Sequence, residues 1–322
     1  MSRRREQLAW LTAGTAAVAL VSPWVERLRW RGFTVLRSLM PWAALSAAPL
    51  AIRAALTGHR RLAVASGIVG VAGLAVAAPL TVSRRQPPLD RLARPLTIVH
   101  ANLLYINRHI TDVPPVIARL DPDIVTFSEL TPAHARRLRA SSLAALYPYR
   151  IELPARAGSG TGLWSRHPVT EHITTGTKHH TVVADVDGPG GVIQVIVMHT
   201  QSPIVHHDQW VSDLEQLGSL VPDGPAVMAG DFNASWWHPE MRRLMRRGGW
   251  RDAHIDTGHG LSCSWPNERW HALFHWHPPF VRIDHALVND GVAVLDVTDF
   301  EVPGSDHRGL MVTVQRARSA TP

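Results

Sequence analysis

The stretch AVMAGDFNAS, residues 226–235, carries the pattern that decides the predicted fold. An apolar run typical of a buried strand ends there in a turn that holds two polar side chains, Asp231 and Asn233. The same arrangement recurs at three other places: Asn102 after TIVHA, Glu129 after IVTFS and His199 after VIVM. Strand ends that face one way meet along one edge of a sheet, so these side chains are predicted to share one crevice.

Apolar runs rich in Val and Ile continue on both sides of this stretch. They read LTIVHAN, DIVTFSEL, VIQVIVMHT, PAVMAGDFN, RIDHALV and GLMVTV, all between residues 96 and 314. Helical patterns lie between them, over 112–120, 132–146 and 208–220. This alternation predicts a layered α/β fold with buried strands.

The positive charge of the chain is concentrated at its N-terminal end. The 322 residues carry a formal net charge of +7, but residues 1–94 hold 14 Arg against three acidic residues, a net charge of +11. The remainder has 19 basic and 23 acidic residues, a net charge of −4. It therefore lacks the basic surface expected of a general nucleic-acid binder. Cys263 is the only cysteine, which excludes an intrachain disulfide and a Cys-based zinc site.

The N-terminal arm contains long apolar segments. Residues 62–82, LAVASGIVGVAGLAVAAPLTV, carry no charge and are long enough to cross a hydrocarbon core of ~30 Å at ~1.5 Å per residue. Residues 7–25 are also uncharged, and residues 38–52 are apolar between two arginines. We expect about three transmembrane helices. Two alternatives stay open: a cleavable signal peptide over residues 7–25, and buried core helices of a soluble domain.

These features divide the chain into four parts. They are a membrane region over residues 1–82, a basic Pro-containing linker over 83–95, a catalytic domain over 96–316 and a tail over 317–322. The distribution of arginines does not decide which side of the membrane holds the catalytic domain.

The polar residues that follow the strands provide oxygen ligands, which suit hard cations such as Mg²⁺ or Mn²⁺. These residues are Asn102, Glu129, Asp231, Asn233 and Asp306. Phosphoester hydrolysis needs such an ion, together with an imidazole that takes a proton from the attacking water. His307 is the candidate base and Asp284 its partner, because a carboxylate on one ring nitrogen fixes the tautomer. Each residue alone also fits a structural role in a turn or cap.

Seven motifs in this order resemble the endonuclease/exonuclease/phosphatase superfamily, which includes pancreatic-type DNases, sphingomyelinases and inositol-phosphate phosphatases. They are HANLLYIN (100–107), DIVTFSEL (123–130), GTGLWSRHPV (160–169), VMHTQSP (197–203), AGDFNAS (229–235), RIDHAL (282–287) and PGSDHRGL (303–310). The resemblance covers residues 96–314. It implies a four-layer, DNase I-like α/β sandwich, here preceded by the transmembrane region.

The resemblance also implies a role for each residue of the predicted site. Glu129 would be the principal metal ligand, assisted by Asn102 and Asp306. The other roles would be these: Asp231 and Asn233 contact the scissile phosphate and the nucleophile, His199 binds a phosphate oxygen, and Asp284 pairs with His307. Some nucleases of the superfamily have an acidic residue where this chain has Leu104, so a second metal site is doubtful.

Further charged residues near the motifs have two interpretations. Arg166 and Arg308 either contact phosphate or are solvated surface charges. Other histidines could suggest a zinc cluster, but their spacing matches no zinc signature, so we expect structural or surface roles. They are His179, His180, His206, His207, His271, His275 and His277.

A helical membrane region joined to a domain with HTQSP and PGSDHRGL is similar to the VanJ-type proteins associated with teicoplanin resistance. That similarity implies a multi-pass protein of the cell membrane whose catalytic domain acts outside the cytoplasm on a membrane lipid or lipid-linked phosphate. Tethering to the bilayer would raise the local concentration of such a substrate. The alternatives are a tethered nuclease, which the charge of −4 disfavours, and a non-catalytic receptor that binds phosphate groups.

Overall fold

Two β-sheets packed face to face form the centre of the molecule, in a computed structural model that describes residues 3–27, 31–176, 178–267 and 278–318. The strands are β1 Leu96–Asn102, β2 Ile124–Ser128, β3 Tyr149–Leu153, β4 Thr161–Ser165, β5 Val169–Gly176, β6 His180–Gly188, β7 Gly191–His199, β8 Ala226–Asp231, β9 Arg251–Asp252, β10 Asp284–Val288, β11 Val292–Glu301 and β12 Arg308–Arg316. One sheet has the order β11-β12-β1-β2-β4-β3 and the other the order β5-β6-β7-β8-β10-β9.

Helices cover the outer faces of both sheets. The helices are α1 Arg3–Val21, α2 Arg31–Ser38, α3 Met40–Leu56, α4 Arg60–Ala77, α5 Val113–Leu120, α6 Pro132–Arg139, α7 His207–Leu217, α8 Pro239–Gly248 and α9 Ala253–Asp256. α5 and α6 pack on the sheet that contains β1, and α7 and α8 on the sheet that contains β8. The layers confirm the predicted DNase I-like sandwich.

The six apolar runs of the sequence are all strands. Three pairs of neighbouring strands, one pair in the first sheet and two in the second, explain the shared crevice. β1 runs parallel to β2, and β7 runs parallel to β8 with His199 opposite Asp231. β10 runs antiparallel to β8, which places Asp284 opposite Asp231 as well. One predicted helix differs: residues 132–146 form α6 and a separate 3₁₀ turn, Ser142–Leu146, because Ser141 is extended between them.

The helices α1, α3 and α4 of the N-terminal arm pack together. Gly73 of α4 lies so close to α3 that a Cβ atom there would be 2.4 Å from that of Ala44. Small residues at such a contact let helix backbones approach, as they do in membrane proteins. Among the described helices, one segment, Arg60–Thr81, is by itself long and apolar enough to cross a membrane, and α2 with α3 would be a second span bent by 63°. The prediction of about three spans thus has limited support.

The outer surface of this helical bundle is apolar. Large hydrophobic side chains are exposed on all three helices: Leu8, Leu11, Val18, Val21, Leu45, Ile52, Leu56, Val64, Ile68, Val71 and Leu74. Soluble monomers rarely expose a continuous apolar surface of this kind. The exposure argues against buried core helices of a soluble domain, the second alternative considered from the sequence.

The bundle is docked on the catalytic domain at one end. His238 donates through Nε2 to the carbonyl oxygen of Thr34 at 3.0 Å, and Glu26 pairs with Arg243 at 2.9 Å. An apolar cluster joins the two parts at the same place: Met40, Ala44, Leu80, Trp237 and Ile255. These contacts fix the orientation of the arm relative to the domain.

The linker over residues 83–95 also lies against the catalytic domain. The backbone N–H of Arg84 donates to the carbonyl oxygen of Asp256 at 2.8 Å, and that of Asp90 donates to Arg316 at 3.1 Å. Leu89 forms an isolated bridge with Ala317, just after β12. The linker is therefore held to the domain surface at Arg84, Leu89 and Asp90.

Candidate active site

Asp284 and His307 form a buried ion pair in the crevice. The Nδ1 atom of His307 donates to Oδ2 of Asp284 at 2.8 Å, and the two side chains are 1% and 6% exposed. This bond leaves Nε2 of His307 facing the crevice, 3.8 Å from Oδ2 of Asp231 and 3.9 Å from Oδ1 of Asp306. Burial disfavours the charged ring, but the carboxylates of Asp284 and Asp231 outweigh it and raise the pKa of His307 well above its ordinary value.

Asp231 is the acceptor at the centre of the site. Its Oδ1 accepts from the backbone N–H of Asn233 at 2.8 Å, while its Oδ2 accepts from Nδ2 of Asn102 at 3.1 Å and lies 3.4 Å from Nε2 of His199. Burial acts to raise the pKa of Asp231, but the charge of His307 and the bond from His199 hold it below its usual range. The carboxylate is therefore ionised at neutral pH.

His199 is held on its other side by a second histidine. Its Nδ1 lies 3.1 Å from the carbonyl oxygen of Gly158 and 3.0 Å from Nδ1 of His179. Nε2 of His179 donates to Oε1 of Gln201 at 3.0 Å, which leaves its Nδ1 to accept from His199. Burial, then the charge of His199, lower the pKa of His179 to about 4, so His179 is the neutral member. A contact with the predicted site was not expected for His179.

Glu129 and Asp306 each have one oxygen held by a hydrogen bond from an N–H group of a nearby residue. Oε2 of Glu129 accepts from the backbone N–H of Tyr105 at 2.7 Å, and Oδ2 of Asp306 accepts from Nε1 of Trp265 at 3.1 Å. Within the described part of the chain, Oδ1 of Asp306 is buried without a hydrogen-bond partner. Burial raises the pKa of Glu129. The carboxylates of half-buried Glu129 and buried Asp306 fit a hard divalent cation, which would compensate their charge.

Asn102 bridges the two acidic groups through its amide. Nδ2 faces Asp231 and lies 3.4 Å from Oε1 of Glu129, and Oδ1 accepts from the backbone N–H of Leu104 at 3.0 Å. Nδ2 rather than Oδ1 faces the carboxylates, so the predicted role as a metal ligand requires the amide to turn over when a cation binds.

A second arrangement of possible ligands overlaps the ion pair. Atoms of Asp231, Asp284 and His307 lie within 4.8 Å of one another, close enough to surround an ion. The bond between Nδ1 of His307 and Oδ2 of Asp284 leaves Nε2 of His307 and Oδ1 of Asp284 as the remaining donor atoms of these two side chains. The described residues thus contain a second candidate cation site beside the one predicted at Glu129 and Asp306.

Three residues around the site have left-handed backbone conformations that are uncommon outside glycine. The φ angles are +54° at Leu104, +58° at Glu129 and +47° at Asn233. Each costs on the order of 1–3 kcal/mol and persists only where the surrounding structure imposes it. Both Glu129 and Asn233 stand just after a strand, so the bend turns each side chain into the crevice.

Several residues considered from the sequence lie elsewhere. Arg166 pairs with Asp121 and stacks over Tyr147, and Arg308 pairs with Glu301 at 2.8 Å, so both form ion pairs at the surface. His271, His275 and His277 lie outside the described residues. Ser305 and Trp265 were missed: Ser305 accepts from the backbone N–H of His307, and Trp265 holds Asp306. No sequence pattern singles out either of them, because their partners are distant in sequence or belong to the backbone.

The fold and the site define a hydrolase of the metal-dependent phosphoesterase and nuclease class. The chain belongs to the Endonuclease/Exonuclease/phosphatase family, whose model matches residues 99–307. A comparison with curated proteins found no match.

Solved structures share the fold at low sequence identity. TDP2 from D. rerio, complexed with a single-strand DNA product, has a TM-score of 0.57 and 18% identity, over 69% of this chain and 99% of that one. The endonuclease/exonuclease/phosphatase from Beutenbergia cavernae has a TM-score of 0.52 and 17% identity, over 70% and 72%. The corresponding protein from Bacteroides vulgatus has a TM-score of 0.51 and 16% identity, over 70% and 100%.

Proposed function

We propose that the chain is a membrane-anchored, divalent-metal-dependent hydrolase of a lipid-linked phosphate or pyrophosphate, of the VanJ type. One observation carries the catalytic part of this proposal. Nε2 of His307 faces Oδ2 of Asp231 and Oδ1 of Asp306 at 3.8 and 3.9 Å, which leaves room for one reacting oxygen among three polar groups. A receptor that only binds phosphate has no need of the ion pair behind His307.

The proposed metal ligands are Glu129 and Asp306, assisted by Asn102. A bound Mg²⁺ or Mn²⁺ supplies positive charge that neutralises phosphate oxygens and the leaving group. Tyr105 and Trp265 hold the far oxygens of the two carboxylates, so the near oxygens keep their direction when the site is filled. Such second contacts orient ligands and sustain affinity.

The proton is taken by His307 in this proposal. Asp284 fixes the tautomer through Nδ1, so the free electron pair of neutral His307 is on Nε2 and faces the crevice. A cation bound beside Asp306 would favour the neutral form of His307, because it would repel the positive charge of the protonated ring. Asp231 and Asn233 would orient the nucleophile and the scissile phosphate, and His199 would donate to a phosphate oxygen.

The proposal places the catalytic domain outside the cytoplasm. In the sequence, the helix ends remote from the domain carry Arg3, Arg4, Arg5, Arg53, Arg60 and Arg61, and the domain side carries Arg27, Arg29, Arg31, Arg37, Arg84, Arg85, Arg91 and Arg94. Both sides are basic, so the arginines do not carry the orientation, which rests on the similarity to VanJ-type proteins.

Apolar side chains on loops beside the site support a lipid substrate. Tyr105 and Ile106 are exposed on the loop that contacts Glu129, and Ile204 and Val205 are exposed just after the segment that carries His199. Exposed apolar loops near a catalytic crevice, on a tethered domain, are suited to a substrate at the bilayer surface.

One preparation tests this function against the tethered nuclease. The full chain in detergent micelles is assayed for phosphate release from a long-chain prenyl phosphate and prenyl diphosphate, and for cleavage of single- and double-stranded DNA. We expect release that requires Mg²⁺ or Mn²⁺ and is lost in Glu129→Gln. DNA cleavage without phosphate release would establish the nuclease instead.

A further inference from the structure

Four basic residues line a cavity between the start of α2 and the start of α7. They are Arg31, Lys178, His206 and His207, called here the basic rim cluster, and the cavity they line with Asp208 and Gln209 has a volume of about 220 Å³. None of the catalytic roles proposed above uses these residues. Lys178 is the only lysine in the chain.

The cluster is assembled from the membrane arm and the catalytic domain together. Arg31 is the first residue of α2, and its Nη1 donates to the carbonyl oxygen of Ile204 at 3.4 Å. His206 and His207 stand at the start of α7. A headgroup that enters the crevice from the arm side would therefore pass between a residue of the arm and residues of the domain.

A buried carboxylate fixes the backbone of this region. Asp213 of α7 is fully buried, and it accepts from the backbone N–H of Lys178 at 3.2 Å and from that of Gln201 at 2.8 Å. Nε2 of Gln209 donates to the same carboxylate at 2.9 Å. The buried carboxylate thus fixes the backbone at Lys178, and of the cluster His207 is buried while the Lys178 side chain is exposed.

The cluster adjoins the residue proposed to bind the scissile phosphate. Lys178 directly precedes His179, whose Nδ1 is 3.0 Å from Nδ1 of His199. The backbone N–H groups of Lys178 and Gln201 also share the Asp213 carboxylate, so one residue of the cluster is joined through the backbone to the segment that carries His179 and to the one that carries His199. Asp208, the one acidic residue of the lining, is fully exposed and lies 3.6 Å from Nδ1 of His207.

We propose that the basic rim cluster binds a second phosphate-type anionic group of the substrate, next to the phosphoryl group that is attacked. This proposal rests on the proposed function and adds the substrate class: a molecule with two adjacent anionic groups. Arg and Lys are the side chains that suit phosphate oxygens. The same chemistry could be supplied by anionic headgroups of the bilayer, and the experiment separates the two sources.

The test compares decyl diphosphate with decyl monophosphate as substrates of the full chain in nanodiscs of neutral lipid. The variants are Arg31→Gln, Lys178→Gln and the double variant. The control is Arg137→Gln on α6, an exposed arginine on the opposite outer layer. We expect the ratio of kcat/KM for the diphosphate to kcat/KM for the monophosphate to fall about 3- to 10-fold in each single variant, the range for partly exposed charged contacts. The control should keep the wild-type ratio.

Each of the other outcomes contradicts the proposed role of the basic rim cluster. An unchanged ratio in the double variant, or an equal loss on both substrates, would overturn the proposal. A loss that appears only in nanodiscs with anionic lipid, and equally for both substrates, would assign the residues to the bilayer instead.

If the proposed function is wrong, the wild type will turn over neither substrate. In that case, calorimetric binding of inorganic diphosphate tests the basic rim cluster directly. Equal affinity of the wild type and the double variant would reject it.

Discussion

Removal of the buried ion pair behind the active site is the most direct test of the mechanism. His307→Ala removes the proposed base, for which the expected loss in kcat is about 10²- to 10⁴-fold. Asp284→Asn keeps the shape of the side chain but removes the charge that His307 faces at 2.8 Å. A hydrogen bond to a charged group contributes about 1.5–3 kcal/mol, or about 10- to 150-fold in rate, and an amide that holds the wrong tautomer adds to this loss.

The double variant decides whether the two residues act as a unit. If Asp284 acts only through His307, the kcat of the double variant should be within about threefold of the kcat of His307→Ala, because Asp284 has no partner once His307 is removed. Independent action would multiply the losses and add at least about another tenfold. The assay is kcat at saturating Mg²⁺ on a soluble phosphoester. Thermal unfolding of each variant is the control, since both side chains are buried.

Two results would refute this reasoning. Losses that multiply would show that the carboxylate and the imidazole contribute separately. Full activity of both single variants, together with inactivity of Asp231→Asn, would make Asp231 the base and leave His307 to hold a phosphate oxygen. The short distance between Asp231 and His307 permits that assignment.

Four further predictions test the metal site, the second histidine and the arm. Glu129→Gln should abolish most Mg²⁺-dependent turnover and weaken Mg²⁺ binding measured by calorimetry, while the melting temperature stays within a few degrees; unchanged Mg²⁺ affinity would contradict the assignment. His179→Phe removes the acceptor behind His199 and should lower kcat/KM about tenfold, the effect of one charged hydrogen bond; an unchanged value would make His179 structural. A reporter fused after Pro322 should register outside the cytoplasm, and a cytoplasmic signal would reverse the topology. Deletion of residues 1–82 should preserve turnover of soluble phosphoesters but lower it on bilayer substrates; equal loss on both would make the arm part of the catalytic fold.

The apolar runs of the sequence predicted a layered α/β fold and six of its twelve described strands, and the ordered motifs implied the DNase I-like sandwich by resemblance. Each apolar run has the length and composition of a buried strand, and each became one. Local pattern also placed Glu129 and Asn233 directly after strands, where the bend turns them inward. The helix boundaries were less accurate, because the break at Ser141 depends on one extended residue that periodicity does not register.

Only the tertiary structure decided which partners these residues have. His179 and His199 are 20 residues apart, and it is the antiparallel pairing of β6 with β7, Val182 opposite Val197, that brings them together. Trp265 reaches Asp306 across 41 residues, and Arg31 of the arm reaches Ile204 across 173. Strand formation depends on the side chains within one short segment, and these side chains can be read directly from the sequence. Pairing within the sheets and contacts between the arm and the domain depend on packing of the whole chain. The sequence therefore indicated the residue types of the candidate site, and the fold determined their neighbours.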